Sequence, residues 1–273
     1  MDTPLRNTEF VIVDVETTGL SPQMGDRICE IAAMRVKGKK IVSTFQSLVN
    51  PQRSISYGAY EVNHISDDMV KDAPEFNEIL PRFMEFIQDT CLVGYNVNFD
   101  LGFIRNELSM LGSDIPLTIG LIDVLRMARR LLPDAGRYPL WHVAQVLKIS
   151  MPQKHRAFGD VELTKEVFDK LLDILLSKGV DTFSTLHNLF GVNHSLNVDL
   201  NNRKLATIQE AIDLEVTLAV KYFSSGRAQM TERQVTPKEI KRERDSYFLK
   251  GFCHLRNEER SFKVDRIIDV EIV

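Results

Sequence analysis

Residues 11–16, Val-Ile-Val-Asp-Val-Glu, force a choice on any fold that contains them. Val11 to Val13 form a β-branched run of the kind that makes a buried central strand. Asp14 and Glu16 follow at a spacing of two, which in extended backbone puts both carboxylates on one face. At an effective dielectric constant near 20 and roughly 4 Å apart, such a pair repels by about 4 kcal/mol. An apolar strand keeps that arrangement cheaply only if a cation or a proton neutralises it.

Three readings compete for this stretch. In the first, the acids are solvated carboxylates at a strand end. In the second, the strand resembles that of haloacid dehalogenase-type phosphatases, which ends in Asp-x-Asp-x-Thr with a nucleophilic first Asp. Here the second acid is Glu16 and the residues after it are Thr17-Thr18-Gly19-Leu20, a poor fit. In the third, the acids belong to a two-metal site, where hard cations take carboxylate oxygens around a phosphodiester and a water. Partner acids downstream decide among them.

Whole-chain properties narrow the classes further. With 44% hydrophobic and 26% charged residues over 273 positions, a packed core is expected, in one large domain or two ordinary ones. The net charge of −4 means that any nucleic-acid contact must rest on local basic patches or bound metal. Cys29, Cys91 and Cys253 are odd in number and far apart, which argues for a reducing compartment rather than a disulfide framework. Met1-Asp2-Thr3-Pro4 lacks the apolar stretch of a signal peptide, and no apolar run approaches membrane-spanning length. A cytoplasmic protein with no membrane partner is the expectation.

Along the chain, Ile28–Val36 and Ile41–Val49 predict two strands about the turn Lys37-Gly38-Lys39-Lys40, giving an antiparallel start to a sheet. Ser66 is a candidate N-cap for Asp67-Asp68-Met69, and a helix begins after Pro74. Cys91–Gly94 predicts a short buried strand, and Asp100 then falls in the first turn of the following helix. Leu117–Ile122 predicts another strand, and Pro139 opens a helix over Leu140–Leu147. A long helix carries Asp160 in its first turn and ends near Gly179, with His155 in the loop before it.

Asp14, Glu16, Asp100 and Asp160 thus sit at a strand end and at two helix starts. In an α/β sheet such positions converge on one rim. Four carboxylates there call for about two divalent cations, with His155 the natural base for a water. At these residues the chain resembles a known family. Asp-Val-Glu-Thr-Thr-Gly, Asn-Val-Asn-Phe-Asp and His-Arg-Ala-Phe-Gly-Asp, in order over residues 8 to about 178, are similar to the three motifs of DnaQ-like DEDDh 3′→5′ exonucleases. The resemblance implies an RNase H-like fold, a mixed β-sheet flanked by helices. It also implies release of nucleoside 5′-monophosphates from 3′ ends of DNA or RNA, DNA favoured, with two Mg²⁺ or Mn²⁺ ions. Asp14, Glu16, Asp100 and Asp160 become the metal ligands and His155 the general base. Arg156 stands where the sister subgroup has Tyr, which favours the histidine form, and Tyr95 stands where His is frequent. Thr17 and Leu20 resemble residues that meet the 3′-terminal nucleotide, and His64 resembles one lining its pocket. A capped turn, a core leucine and a structural histidine remain their plainer readings.

Residues 181–204 lose periodicity and carry several asparagines, so a linker or irregular extension is expected between a domain over 1–180 and another over 205–273. Val216, Leu218, Val220 and Tyr222 alternate as a strand, a second strand is expected from Arg227 until Pro237 ends it, and a hairpin follows about Arg256-Asn257-Glu258. Lys238–Arg244 reads as a solvated loop or helix face. Arg233-Gln-Val-Thr-Pro237, Tyr247-Phe248-Leu249 and the stretch from Arg260 to Arg266 resemble a WYL domain. That resemblance implies a small SH3-like β-barrel taking nucleic acid or a nucleotide-like ligand, with Arg233, Tyr247, Arg256 and Arg266 as its contacts. Residues 205–273 hold 12 Lys and Arg against 12 Asp and Glu, so any such binding is local. Beside the exonuclease, two readings stay open: a regulatory binding protein that keeps the exonuclease fold as a scaffold, and a phosphatase of small phosphoesters.

Overall fold

The structure, a computed structural model, describes residues 3–114, 120–150, 156–192, 194–224, 229–244 and 246–273, with backbone only for 194–200. The chain divides into two compact units, Thr3–Asp173 and Ile174–Val273.

In the first unit, β1 (Glu9–Thr17), β2 (Ile28–Lys37) and β3 (Lys40–Leu48) form the antiparallel meander expected from their short turns. Helices α1 (Tyr57–Asn63), α2 (Asp67–Val70) and α3 (Phe76–Ile87) follow. Ser66 stands at the start of α2, but its side chain makes no capping bond there. The α3 helix starts instead on a reciprocal capping box between Glu75 and Glu78. The chain then enters β4 (Cys91–Gly94), α4 (Asn98–Met110), β5 (Gly120–Asp123), α5 (Val124–Leu131), α6 (Leu140–Val146) and α7 (Ala157–Leu176). The start of the strand expected over 117–122 lies outside the described residues.

The sheet order is β3-β2-β1-β4-β5, with β4 parallel to β1 and β5 parallel to β4. This is the mixed α/β sheet that the sequence predicts. Phe10, Val11, Ile12 and Val13 are fully buried at its centre, and the Phe10 ring meets Phe168 of α7 edge-on at 5.2 Å. Pairing of β1 with β4 ends at Ile12↔Val93. The next residues of β1 therefore project past their parallel neighbour into the crevice at the strand ends, and they are Asp14 and Glu16.

The second unit departs from expectation in three places. The Asn-rich stretch is helical: α8 (Phe183–Phe190) and α9 (His194–Asp213) occupy most of 181–204. Leu186, Leu189 and Phe190 bury one face of α8, and Ile208 and Ala211 of α9 enter the unit's core. Strands β6 (Leu218–Ser224), β7 (Gln229–Glu243), β8 (Ser246–Cys253), β9 (Glu258–Lys263) and β10 (Ile267–Ile272) make an antiparallel sheet of order β10-β6-β7-β8-β9. β7 runs through Pro237, which lies beyond the last residue paired with β6, Val235, and just before a register shift against β8 between Pro237 and Glu239. Lys238–Glu243 is thus strand rather than loop. The sheet also stays open among the described residues, where β9 and β10 are its two edges, so the expected barrel is not closed. The turn expected at 225–226 lies outside the described residues.

The three cysteines are buried and unbridged. Among the described residues no helix is long and apolar enough to cross a membrane.

Candidate active site

The alternation of β1 turns Asp14 and Glu16 to one side, and the first turn of α7 delivers Asp160 to them. Ligand oxygens of Asp14, Glu16 and Asp160 lie within 4.8 Å of one another. Asp100 arrives from the start of α4, buried, with its Oδ1 accepting a hydrogen bond from the Val15 N–H at 3.1 Å. That bond ties the second motif to the strand between the two acids of the first. His155 lies outside the described residues, one position before Arg156.

Electrostatics measure how strained this cluster is without a cation. Burial, then the charges of Asp100, Glu16, Asp160 and Glu30, pushes Asp14 well above the usual carboxylate range. Burial, then Asp160, Glu30 and Asp100, pushes Glu16 up to about 8 against a partial offset from Arg156. Burial pushes Asp100 up to about 7, although backbone N–H groups work against it. Hard divalent cations take carboxylate oxygens clustered in this way, and the donor set fits them.

The sign of the proton linkage gives a prediction. The folded, metal-free protein holds these protons more tightly than the unfolded chain, so stability present at low pH is lost as pH rises from about 4 to about 8. With EDTA, the melting temperature is expected to fall between pH 5.5 and pH 8.5. Added Mn²⁺ should raise it more at pH 8.5 than at pH 5.5. Glu16→Gln should flatten the EDTA slope; an unchanged slope in that variant would refute the linkage.

Asp123 ends β5 close to this rim, but its Oδ1 accepts from the N–H groups of Asn96, Leu125 and Arg126. It is the cap of α5.

Around the cluster, Thr17 is buried and its hydroxyl donates to the Gly19 carbonyl at 2.6 Å, which is the capped turn. Leu20, 84% exposed, is no core residue. His64 is exposed and ends α1 in a left-handed conformation at φ 56°. The segment holding His64 is tied to the turn holding Leu20, because Ser56 N–H donates to Thr18 O and Asn63 Nδ2 donates to Thr17 O.

Sequence reasoning missed two residues here. Glu30, fully buried on β2, is the register partner of Glu16. It pairs with Arg156, whose only mark in the sequence was not being Tyr. The detectable signal was a lone acid inside the apolar run Ile28–Val36, since a buried charge needs a partner.

In the second unit, Arg233 and Arg256 line one recess together with Arg260, Thr231 and Glu258. Arg233 is held by Thr231 Oγ1 at 3.0 Å and lies over the Phe262 ring. Arg260 is a third basic residue that the sequence reading left out. Tyr247 instead packs under Arg242, and Arg266 sits in the 3₁₀ turn before β10; neither lines that recess.

Comparison with known proteins agrees with this geometry. A DNA polymerase III PolC-type protein of Caldanaerobacter subterraneus subsp. tengcongensis is 40% identical over 181 residues, 66% of this chain and 13% of the relative. Another from Staphylococcus haemolyticus is 38% identical over 179 residues, covering 66% and 12%. This chain therefore spans about an eighth of the length of those relatives. Among solved structures, the zinc-bound E. coli ExoI–ssDNA complex superposes with a TM-score of 0.58 at 18% identity, covering 90% of this chain and 55% of that one. The rAMP-bound nuclease domain of 3′hExo, described as a DEDDh family member, gives 0.55 at 17% identity, covering 61% and 92%. These two likenesses concern the fold. The WYL domain model matches residues 203–272. The RNase_T model, described as Exonuclease, matches residues 11–168, well over half of the chain, and the protein belongs to that family of nuclease hydrolases.

Proposed function

We propose that the protein is a divalent-metal-dependent 3′→5′ exonuclease that hydrolyses the terminal phosphodiester of DNA in preference to RNA and releases nucleoside 5′-monophosphates. The observation that carries this reading is the meeting of Asp14, Glu16 and Asp160 within 4.8 Å, beside a buried Asp100 bonded to the same strand. The family and the printed descriptions of its relatives, ExoI with single-stranded DNA and 3′hExo with rAMP, support the reaction class. The PolC-type relatives are DNA polymerases by name, which supports DNA.

Asp14, Glu16, Asp100 and Asp160 would hold two Mg²⁺ or Mn²⁺ ions, which when bound stabilise charge on the attacking and leaving oxygens. His155 takes the proton of the water as its oxygen bonds to phosphorus. The bond from phosphorus to the 3′-oxygen of the neighbouring nucleotide breaks, and that oxygen leaves as an alkoxide that takes its proton from solvent water. Thr17, Leu20 and His64 form the rim that receives the terminal nucleotide, with exposed Leu20 against its base. Residues 1–180 carry the chemistry. The 205–273 region binds nucleic acid or a nucleotide-like anion in the recess of Arg233 and Arg256 and modulates activity, with Tyr247 and Arg266 as further contacts.

The test is degradation of 3′-labelled and 5′-labelled single-stranded DNA and RNA with Mg²⁺, Mn²⁺ or EDTA. The expected result is metal-dependent shortening from the 3′ end with mononucleotide products, faster on DNA. No cleavage of any substrate by folded, Mn²⁺-loaded protein would overturn the reading.

A further inference from the structure

Glu30 is a fifth carboxylate beside the acidic cluster, and its environment differs from that of the other four. Arg156 Nε donates to its Oε2 at 3.0 Å and Arg156 Nη2 to its Oε1 at 2.7 Å, a two-pronged pair. The Ala157 N–H donates to Oε2 at 3.1 Å, and Gln46 Nε2 from β3 donates to Oε1 at 3.2 Å. Burial alone would raise its pKa, but Arg156, the Ala157 N–H and Gln46 together hold it below the ordinary glutamate value. Both oxygens are thus committed to donors, and Glu30 is unlike the acids that meet one another with ligand atoms facing.

What those donors share is position in the chain. Ala157 is the first residue of α7, and its N–H is one that the helix itself leaves without a partner. The Arg156 carbonyl accepts the N–H of Asp160 at 3.1 Å. One carboxylate on β2 grips the start of the helix that carries Asp160.

We infer that Glu30 is a positioning residue of the exonuclease reaction, fixing the start of α7 through Arg156 and Ala157 so that Asp160 is presented to the strand acids. The inference rests on the two-metal reading above. An ion pair with a fully buried carboxylate and a partly exposed guanidinium is a costly way to hold a helix end if stability alone were at stake, since an apolar contact of similar volume is often as stable. It does, however, hold direction and distance, and these matter for a metal ligand.

The test uses the full chain and two variants. Glu30→Gln keeps the shape and removes the charge; Arg156→Lys keeps the charge but not the two-pronged geometry. Two readouts are taken: Mn²⁺ binding without nucleic acid, by the paramagnetic resonance of free ion, and kcat and KM separately on a 3′-labelled oligonucleotide. Misplaced supporting groups at metal sites cost about 10–100-fold. Glu30→Gln is expected to lose about that factor in kcat with KM within about threefold, and to bind Mn²⁺ about tenfold more weakly. Arg156→Lys should fall between it and wild type. A purely structural role would lower the melting temperature while folded protein kept wild-type kcat and Mn²⁺ affinity, and that result overturns the inference. If one variant does not fold, the other decides. If wild type binds Mn²⁺ but cleaves nothing, the exonuclease reading fails, and the Mn²⁺ arm still decides whether Glu30 positions the site.

Discussion

Asp14→Ala is expected to lower metal-dependent cleavage by about 10³-fold or more, equivalent to about 4 kcal/mol of transition-state stabilisation. Asp14 stands where β1 passes the end of its pairing with β4, and it feels the charge of Asp100, Glu16 and Asp160 together. A group so placed is shared by whatever the cluster binds. Losing it should weaken Mn²⁺ binding as well as turnover, and the variant should be more stable than wild type in EDTA at high pH because one repelling charge is gone. The assay is product release from a 3′-labelled oligonucleotide, alongside Mn²⁺ binding and thermal unfolding. Activity within tenfold of wild type would refute the site assignment.

His155→Ala is expected to cost about 10²–10⁴ in kcat, the usual range for a lost general base, with little change in KM. Its signature differs from that of Asp14→Ala. Mn²⁺ binding should persist, since the carboxylates are untouched. The pH–rate profile should lose the limb that rises as the imidazole gives up its proton, because only the neutral ring accepts one from water. A profile unchanged in shape, whatever its height, would remove His155 from the proton-transfer step.

Much of the first unit was legible because short-range rules govern it. Period-two alternation places Asp14 and Glu16 on one face without any tertiary knowledge. A helix start after the short buried strand β4 places Asp100 at the rim, and the first turn of the long helix α7 carries Asp160. Glu30 was hidden because its meaning is a contact with Arg156, 126 residues away, and no local spacing announces such a pair. The α8 helix was hidden by composition: asparagines around Leu186, Leu189 and Phe190 masked an apolar face that becomes evident only when it packs. Pro237 looked like the end of a strand because a proline cannot donate to a ladder, but it stands past the last residue of β7 that pairs with β6, and β7 continues along β8 alone. Closure of the second sheet depends on curvature and shear, which a count of strands does not contain.

The bond from Val15 N–H to Asp100 spans 85 positions, and the grip of Glu30 on Arg156 spans 126. Neither pairing can form before its later partner has been synthesised. A ribosome making this protein therefore carries the first sheet with an incomplete acidic cluster until the start of α7 has left the exit tunnel. The acidic cluster would be complete only once the start of α7 has docked, and a chain that stops before Asp160 would lack one of its carboxylates.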